Sequence, residues 1–250
     1  MNLTHTVLGN ETEIDIRSKG EFEWNEAEQG FILGSFFFGY VLTQLPGGIL
    51  ATKYGGKWPL GLGLFVTAIF AIATPIAART HTYLLVFVRV VQGLGEGLTT
   101  PAMHAILASW APPDERSKLG SIVYAGAQFG TAATMVSSGY LIDGGVFGGW
   151  PSVFYVMGVI SLVWFVLWCF FMYDSPAVHP RISKEERNYI ETSIGNKSTE
   201  KVATPWRSIF TSWPVWAIII GHSGHVWGLY TLLALLPTYL KTVLQFDIKQ

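Results

Sequence analysis

Six apolar stretches follow a polar N-terminal segment and alternate with shorter polar connections along the chain. Each is close to the roughly 20 residues that a helix needs to cross a bilayer. The stretches cover residues 31–51, 59–78, 84–109, 119–142, 151–172 and 215–240. This pattern predicts an all-α, polytopic membrane protein built as a bundle of six transmembrane helices.

The third stretch, 84–109, differs from the others because it carries charged residues inside an apolar run. A charge at mid-bilayer costs about 2.5–3.5 kcal/mol, so Arg89 and Glu96 need a partner or a function. Seven residues are close to two helical turns, which places the two side chains on nearly the same face, about 20° apart. The same face also holds Gln92, Gly93, Gly97, Thr100 and, at its edge, His104. We expect a polar stripe that faces a cavity, with glycines that admit another helix or a ligand. The alternative is a buried ion pair that only locks helices together.

The composition excludes several classes of protein. Charged residues make up 13% of the chain, whereas soluble domains carry about 25%. The net charge of −1 gives no reason to expect nucleic-acid binding. A single cysteine, Cys169, allows no internal disulfide. The six histidines lack the paired spacing of a zinc site, so we expect neither a metal nor a cofactor.

The polar connections predict which side of the membrane each segment occupies. One alternating set of connections holds Lys53, Lys57, Arg116, Lys118, Arg181, Lys184, Arg187, Lys197, Lys201 and Arg207. The other set, with both ends of the chain, holds Arg17, Lys19, Arg79, Lys241 and Lys249. Because positive residues accumulate in the cytosol, the first set is predicted to be cytosolic and both termini of this chain non-cytosolic. The glycosylation sequons at Asn2 and Asn10 agree with this orientation. A polar N-terminal tail that crosses the membrane is explained most simply if a spanning helix precedes Met1.

The connection 173–212 is the longest between two apolar stretches. Ser183 has the features of a helix N-cap, with Glu186 three residues later. We therefore expect a short amphipathic helix over residues 184–194 on the cytosolic surface. A cytosolic connection of this length suggests a joint between two helical bundles.

Several motifs resemble one family of membrane transporters. They are GSFFFGY at 34–40, TQLPGG at 43–48, GLGEG at 93–97 after Arg89, PAMH at 101–104, WAPPDERS at 110–117, YAGAQFGT at 124–131 and LLPTY at 235–239. Together they resemble the sialin, vesicular glutamate and sodium–phosphate cotransporter family. That family belongs to the major facilitator superfamily, in which twelve helices form two six-helix halves. The resemblance covers nearly all of the chain and places it at helices two to seven.

The resemblance implies a division of the chain into four parts. They are a non-cytosolic, glycosylated loop at 1–29, five transmembrane helices of the N-terminal half at 30–172, the cytosolic inter-half loop at 173–212, and the first helix of the C-terminal half at 213–250. Relative to the family, the chain resembles a fragment, a partial gene model or a truncated isoform.

The resemblance also implies a function. Family members carry small organic or inorganic anions, such as sialic acid or acidic sugars, carboxylates and phosphate, by symport with H+ or Na+ across lysosomal, vesicular or plasma membranes. Arg89 matches the arginine that binds the anion, Glu96 matches the glutamate linked to coupling, and His104 matches a histidine important to sialin-like function. Three positions depart from relatives. Leu33 and His225 stand where vesicular glutamate transporters have histidine and arginine, and Gln92 stands where sialin has a second glutamate. The first two departures argue against glutamate transport.

The mechanism that we expect is a proton switch. Ionised Glu96 competes for Arg89, and protonated Glu96 releases Arg89 to an anion, which the guanidinium can grip through two parallel hydrogen bonds. Other residues that we expect to line the cavity are Tyr40, Gln44, Tyr124, Gln128, His225 and Tyr230. For each of these the alternative is ordinary hydrogen bonding between helices.

Two other functions remain open from the sequence. A chain of this length lacks the second half that alternating access needs, which favours a non-transporting fragment that associates with intact transporters. The sequence Gly221-His222-Ser223-Gly224 matches the short Gly-x-Ser-Gly pattern of intramembrane serine proteases. A catalytic histidine should then lie on another helix, where His104 is the one intramembrane candidate.

Overall fold

The computed structural model describes residues 21–144, 148–195 and 205–242. The sequons at Asn2 and Asn10 lie outside these ranges. The chain divides into two units, Met1–Lys197 and Ser198–Gln250. The first unit contains α1 (Glu26–Tyr54), α2 (Lys57–Thr80), α3 (Thr82–Glu96), α4 (Thr99–Trp110), α5 (Pro113–Asp143), α6 (Pro151–Phe171), a single 3₁₀ turn (Pro176–Val178) and α7 (Lys184–Ile194). The second unit contains α8 (Trp206–Phe210) and α9 (Trp213–Thr242).

The all-α fold class predicted from the sequence is confirmed. Helices cover all six apolar stretches. Three described helices, α1, α2 and α6, are by themselves long and apolar enough to cross a membrane. The transmembrane placement of the other apolar helices stays a prediction.

The third apolar stretch is two helices rather than the single helix that we expected. α3 ends at Glu96, and α4 begins at Thr99 after a turn at Gly97 and Leu98. Pro101 explains the interruption. It has no N–H to donate to the carbonyl oxygen of Gly97, four residues earlier, and its ring crowds that carbonyl.

α3 lies between α1 and α2 and supplies much of the core. Leu85 and Val88 are buried with Ile32 of α1 and with Ala77 and Ala78 of α2. α5 differs from these helices, because none of its residues is buried. The first unit is therefore tightly packed around α3 and loosely packed around α5.

Two sets of polar contacts mark opposite ends of the first unit. At the end that we call the Lys57 end, the N–H of Lys57 donates to Asp174 Oδ1 at 2.8 Å, and the indole N–H of Trp110 donates to the carbonyl of Tyr173 at 2.9 Å. At the Arg79 end, Arg79 Nε lies 2.7 Å from Glu21 Oε1. This hydrogen bond with Arg79, together with one from the Trp150 indole, lowers the pKa of the Glu21 carboxyl.

The predicted helix in the long connection is confirmed as α7 (Lys184–Ile194). The hydroxyl of Ser183 accepts a hydrogen bond from the N–H of Glu186 at 3.1 Å, as expected of an N-cap. Ile190 is its buried residue. The position of α7 on the cytosolic side stays a prediction.

Candidate functional site

Arg89 is the centre of the candidate site. It lies on α3 and is half-buried. Its Nη1 donates to Gln92 Oε1 at 3.5 Å, and its Cζ lies 5.9 Å from the centre of the Phe154 ring on α6. Its Nε is buried and has no hydrogen-bond partner among the described residues. An unpaired buried donor costs about 1–3 kcal/mol, so this atom is ready to bind an acceptor.

Gln92 holds Arg89 in place through a chain of hydrogen bonds. Gln92 is buried. Its Nε2 donates to Thr74 Oγ1 at 3.1 Å, and the Thr74 hydroxyl donates to the carbonyl of Phe70 at 2.8 Å. The Thr74 hydroxyl has a single proton, which it donates to Phe70, so it must accept a hydrogen bond from the amide nitrogen of Gln92. The amide oxygen of Gln92 therefore faces Arg89. A neutral oxygen supports the guanidinium without cancelling its charge.

A cavity of about 400 Å³ opens beside Arg89. Its wall is mostly aromatic and aliphatic and comes from α1, α2, α3, α6 and the segment before α1. The lining includes Glu21, Phe22, Trp24, Leu33, Thr74, Leu85, Arg89, Trp150 and Phe154. The Glu21 carboxylate is engaged by Arg79 and by the Trp150 indole. The cavity therefore joins the Arg89 cation and an ion-paired carboxylate to a large apolar surface, and an apolar wall with few polar groups is the usual make-up of a small-molecule site.

Glu96 does not pair with Arg89 in the described conformation, and the direct competition between the two groups stays a prediction. Within the described residues the ion pairs join Arg79 to Glu21 and Arg187 to Glu191. The seven residues between Arg89 and Glu96 correspond to a helical rise of about 10.5 Å. The two side chains could form an ion pair only if both extended toward each other along the helix. Glu96 lies instead beside the hydroxyl of Thr67 on α2.

The glycines of the predicted stripe admit a helix rather than a ligand. A Cβ atom added to Gly93 would overlap the carbonyl of Phe36 on α1, and one added to Gly97 would overlap the carbonyl of Tyr40. The hydroxyl of Tyr40 is 3.4 Å from that of Thr100. This part of the stripe therefore joins helices, and Tyr40 fits its alternative of hydrogen bonding between helices.

The other predicted residues of the first unit lie apart from the cavity. His104 Nε2 is 3.0 Å from the hydroxyl of Tyr124, a contact between α4 and α5. Gln128 is exposed on α5, and Gln44 is half-buried on α1. None of these four residues is among those that line the cavity beside Arg89. Of the site residues predicted in the described part of the first unit, Arg89 is the one that lines this cavity.

The remaining predicted residues belong to the second unit. His225 and Tyr230 lie on α9. Five residues of helix separate them by about 140° around the axis, so they occupy different faces. Ser223 lies in the same continuous helix, and no hydrogen bond from a histidine to Ser223 occurs among the described residues.

Sequence reasoning missed much of the cavity wall. The wall residues come from three separate places in the chain: the Phe22–Trp24 pair, Thr74, and Trp150 with Phe154. Phe22 and Trp24 stack with ring centres 4.4 Å apart, and Phe22 meets the edge of Trp150 at 5.8 Å. The aromatic pair just before the first apolar stretch was a usable signal for an interfacial segment, although not for its contact with Trp150.

Comparison with known proteins places the chain in a family. It belongs to the Major Facilitator Superfamily, whose family model matches residues 15–250. Transporters of this superfamily are helical membrane proteins, in keeping with the helices described above.

The resemblance to sialin, vesicular glutamate transporters and phosphate cotransporters is also confirmed. The chain is 49% identical over 94% of its length to a putative inorganic phosphate cotransporter of Drosophila ananassae, covering 49% of that protein. It is 47% identical over 92% of its length to human sialin, covering 46%. It is 44% identical over 94% of its length to vesicular glutamate transporter 3 of Danio rerio, covering 40%. The chain thus spans about half the length of the curated relatives that it matches.

Proposed function

We propose that the protein is a secondary active transporter of small anions, in which Arg89 binds the anion. The observation that carries this proposal is the buried, unpartnered Nε of Arg89 at the wall of a cavity. Among the described residues, no carboxylate lies within ion-pair distance of this guanidinium. A cation inside a membrane is costly unless it serves a purpose, and a bound anion satisfies both its charge and its open donor.

The chemistry of the site favours a carboxylate or phosphate group. A guanidinium can donate two parallel hydrogen bonds to two oxygens of a planar carboxylate or a tetrahedral phosphate. Relatives are named as a putative inorganic phosphate cotransporter, as sialin and as a vesicular glutamate transporter. Leu33 lines the cavity and offers no hydrogen bond to the ammonium group of an amino acid. We therefore place phosphate and acidic sugars ahead of glutamate.

Glu96 is proposed to couple anion movement to H+ or Na+. It is half-buried on the same helix as Arg89, beside the Thr67 hydroxyl. Since the two groups do not touch in the described conformation, their coupling requires a second conformation or acts through the helix that they share. The proposed location is a lysosomal, vesicular or plasma membrane, with the Lys57 end in the cytosol.

Uptake by the protein in liposomes tests the assignment of Arg89. Radiolabelled phosphate, sialic acid and glutamate serve as probes, with an inward proton or sodium gradient. Arg89→Gln should abolish uptake of any anion that the wild type carries. Arg187→Gln is the matched control, because Arg187 lies on α7 and pairs with Glu191 at 2.9 Å. Equal uptake by wild type and Arg89→Gln would exclude the proposal.

Glu96→Gln tests coupling separately. The variant should retain anion exchange across the membrane and lose acceleration by the ion gradient, because a neutral amide cannot take up and release a proton. A normal pH dependence of net symport in Glu96→Gln would remove Glu96 from the coupling mechanism and leave the role of Arg89 untouched.

A further inference from the structure

A second cavity lies at the Lys57 end of α6, on the opposite end of the unit from Glu21. It has a volume of about 470 Å³ and is lined by Phe170, Phe171, Tyr173, His179 and Arg181. We propose that this cavity binds the headgroup of an anionic phospholipid, with the acyl chains along α6. This site does not depend on anion transport by Arg89.

The polar wall of the cavity is arranged for hydrogen bonding to a phosphate. His179 Nδ1 accepts a hydrogen bond from the backbone N–H of Arg181 at 3.2 Å. A neutral imidazole whose Nδ1 accepts must carry its proton on Nε2, so that nitrogen is a donor. The ring is held edge-on by Tyr173 at 4.8 Å and by Trp110 at 5.7 Å, which leaves its orientation little freedom.

Arg181 supplies the charge. Its side chain is exposed and makes no ion pair within the described part of the chain. The ammonium of Lys57 lies 5.1 Å from the centre of the Tyr173 ring, where it donates to the carbonyl of Cys169 at 3.0 Å. Asp174 accepts the backbone N–H of Lys57 at 2.8 Å, and Glu185 and Glu186 follow on α7. None of these three carboxylates is among the residues that line the cavity, so the permanent charge in its lining is that of Arg181.

An apolar surface continues from the cavity along the outside of α6. Its exposed residues repeat with helical spacing: Val159, Ile160, Val163, Val166, Leu167, Phe170 and Phe171. α6 contains no charged residue and is long and apolar enough to cross a membrane. Phe170 and Phe171 are 71% and 68% exposed, and they belong to both the apolar surface of α6 and the cavity.

This continuity favours a lipid over a free ion. Inorganic phosphate would contact only His179 and Arg181. It would make no favourable contact with Phe170, with Phe171 or with the apolar surface of α6. A phospholipid uses both, with its phosphate at the polar wall and its chains against α6. Aromatic residues at the membrane interface, with basic pockets on the cytosolic side, are the usual features of such sites.

Native mass spectrometry of the purified protein in detergent tests the proposal. Phosphatidylserine and phosphatidylcholine with the same acyl chains are added separately, and the fraction of protein that retains lipid is measured. We expect stronger retention of phosphatidylserine, and Arg181→Gln should weaken it about fivefold, the effect of one basic residue near an anionic surface. Arg187→Gln, a basic residue of α7, is the matched control and should change retention less than twofold.

Two further measurements distinguish a phospholipid headgroup from free inorganic phosphate as the bound group. Phe170→Ala should weaken phosphatidylserine retention although it leaves the polar wall intact, and excess inorganic phosphate should not displace the lipid. Equal retention of the two lipids, equal loss in the Arg181 and Arg187 variants, or displacement by inorganic phosphate would each overturn the proposal. Circular dichroism of each variant checks that the helices are retained. We expect no loss of helix in the two arginine variants, because both arginines are exposed.

Discussion

The contact between α1 and α3 makes a sharp prediction for one glycine. A Cβ atom added to Gly93 would lie 2.9 Å from the backbone nitrogen of Tyr40 and would also overlap the carbonyl of Phe36. These are backbone atoms in the middle of a helix, so they cannot turn aside as the end of a flexible side chain can. Gly93→Ala therefore requires α1 and α3 to separate.

A second glycine provides a matched control. Gly126 also begins a Gly-xxx-Gly pair in an apolar helix, yet a Cβ atom there would meet nothing within 4 Å. Both substitutions gain the same helix propensity, about 1 kcal/mol for glycine to alanine. The propensity cancels in the comparison, so the difference in stability between Gly93→Ala and Gly126→Ala equals the cost of overpacking, about 1–3 kcal/mol.

Thermal unfolding in detergent measures this difference. The expected order of midpoints is Gly126→Ala at or above the wild type, and Gly93→Ala below it. A reversible denaturant titration would give the free energies of unfolding directly. If the two variants unfolded at the same midpoint, the described packing of α1 against α3 would be wrong.

Three further predictions concern the ends and the outer helix of the first unit. Glu21→Gln should destabilise the protein at neutral pH, because Arg79 lowers the pKa of Glu21 below its ordinary 4.5; this stabilisation is present above that value and is lost as the pH falls through the lowered pKa, so the difference in unfolding midpoint should vanish in acid. Asp174→Ala removes the carboxylate that accepts the N–H of Lys57 at the start of α2 and should cost about 0.5–2 kcal/mol in denaturant unfolding, with Asp174→Asn costing less. Tyr124→Phe removes a contact of α5 with α4, and α5 should then exchange amide hydrogens faster while α3 is unchanged.

The helices could be predicted from the sequence because hydropathy and capping are local properties. The apolar stretch at 151–172 became α6 (Pro151–Phe171), and Ser183 began α7. The break between α3 and α4 was missed although its cause is also local. Pro101 lies four residues after Gly97, and that spacing predicts a lost hydrogen bond.

The surroundings of Arg89 could not be predicted in the same way. The predicted polar face of α3 is wide, since Gln92 and Gly93 are about 100° apart around the axis, and α1 and α2 pack on either side of it. Gln92 contacts Thr74 of α2, whereas Gly93 contacts the backbone of α1. The residues predicted to form one polar stripe therefore have three different roles. Arg89 is a cation supported by Gln92, Gln92 makes a buried contact with α2, and the glycines allow α1 to pack closely.

The cavity wall depends on contacts between distant parts of the chain. Phe154 of α6 and Trp150 just before it reach the cavity because α6 packs against α2, and no periodicity distinguishes these two residues from the other aromatic residues of this segment. Their recognition required the structure. The predicted partners on α9, His225 and Tyr230, belong to a separate unit and stay predictions.

Equilibrium binding of an anion to the purified protein tests the central claim most directly, because it needs neither a gradient nor a complete transport cycle. Phosphate, sialic acid and glutamate are titrated against wild type, Arg89→Gln and the Arg187→Gln control. A hydrogen bond to a charged group contributes about 1.5–3 kcal/mol, so Arg89→Gln should weaken binding at least tenfold, while the control binds as the wild type does. Unchanged affinity in Arg89→Gln for an anion that the wild type binds would contradict the assignment of Arg89 as the anion-binding residue.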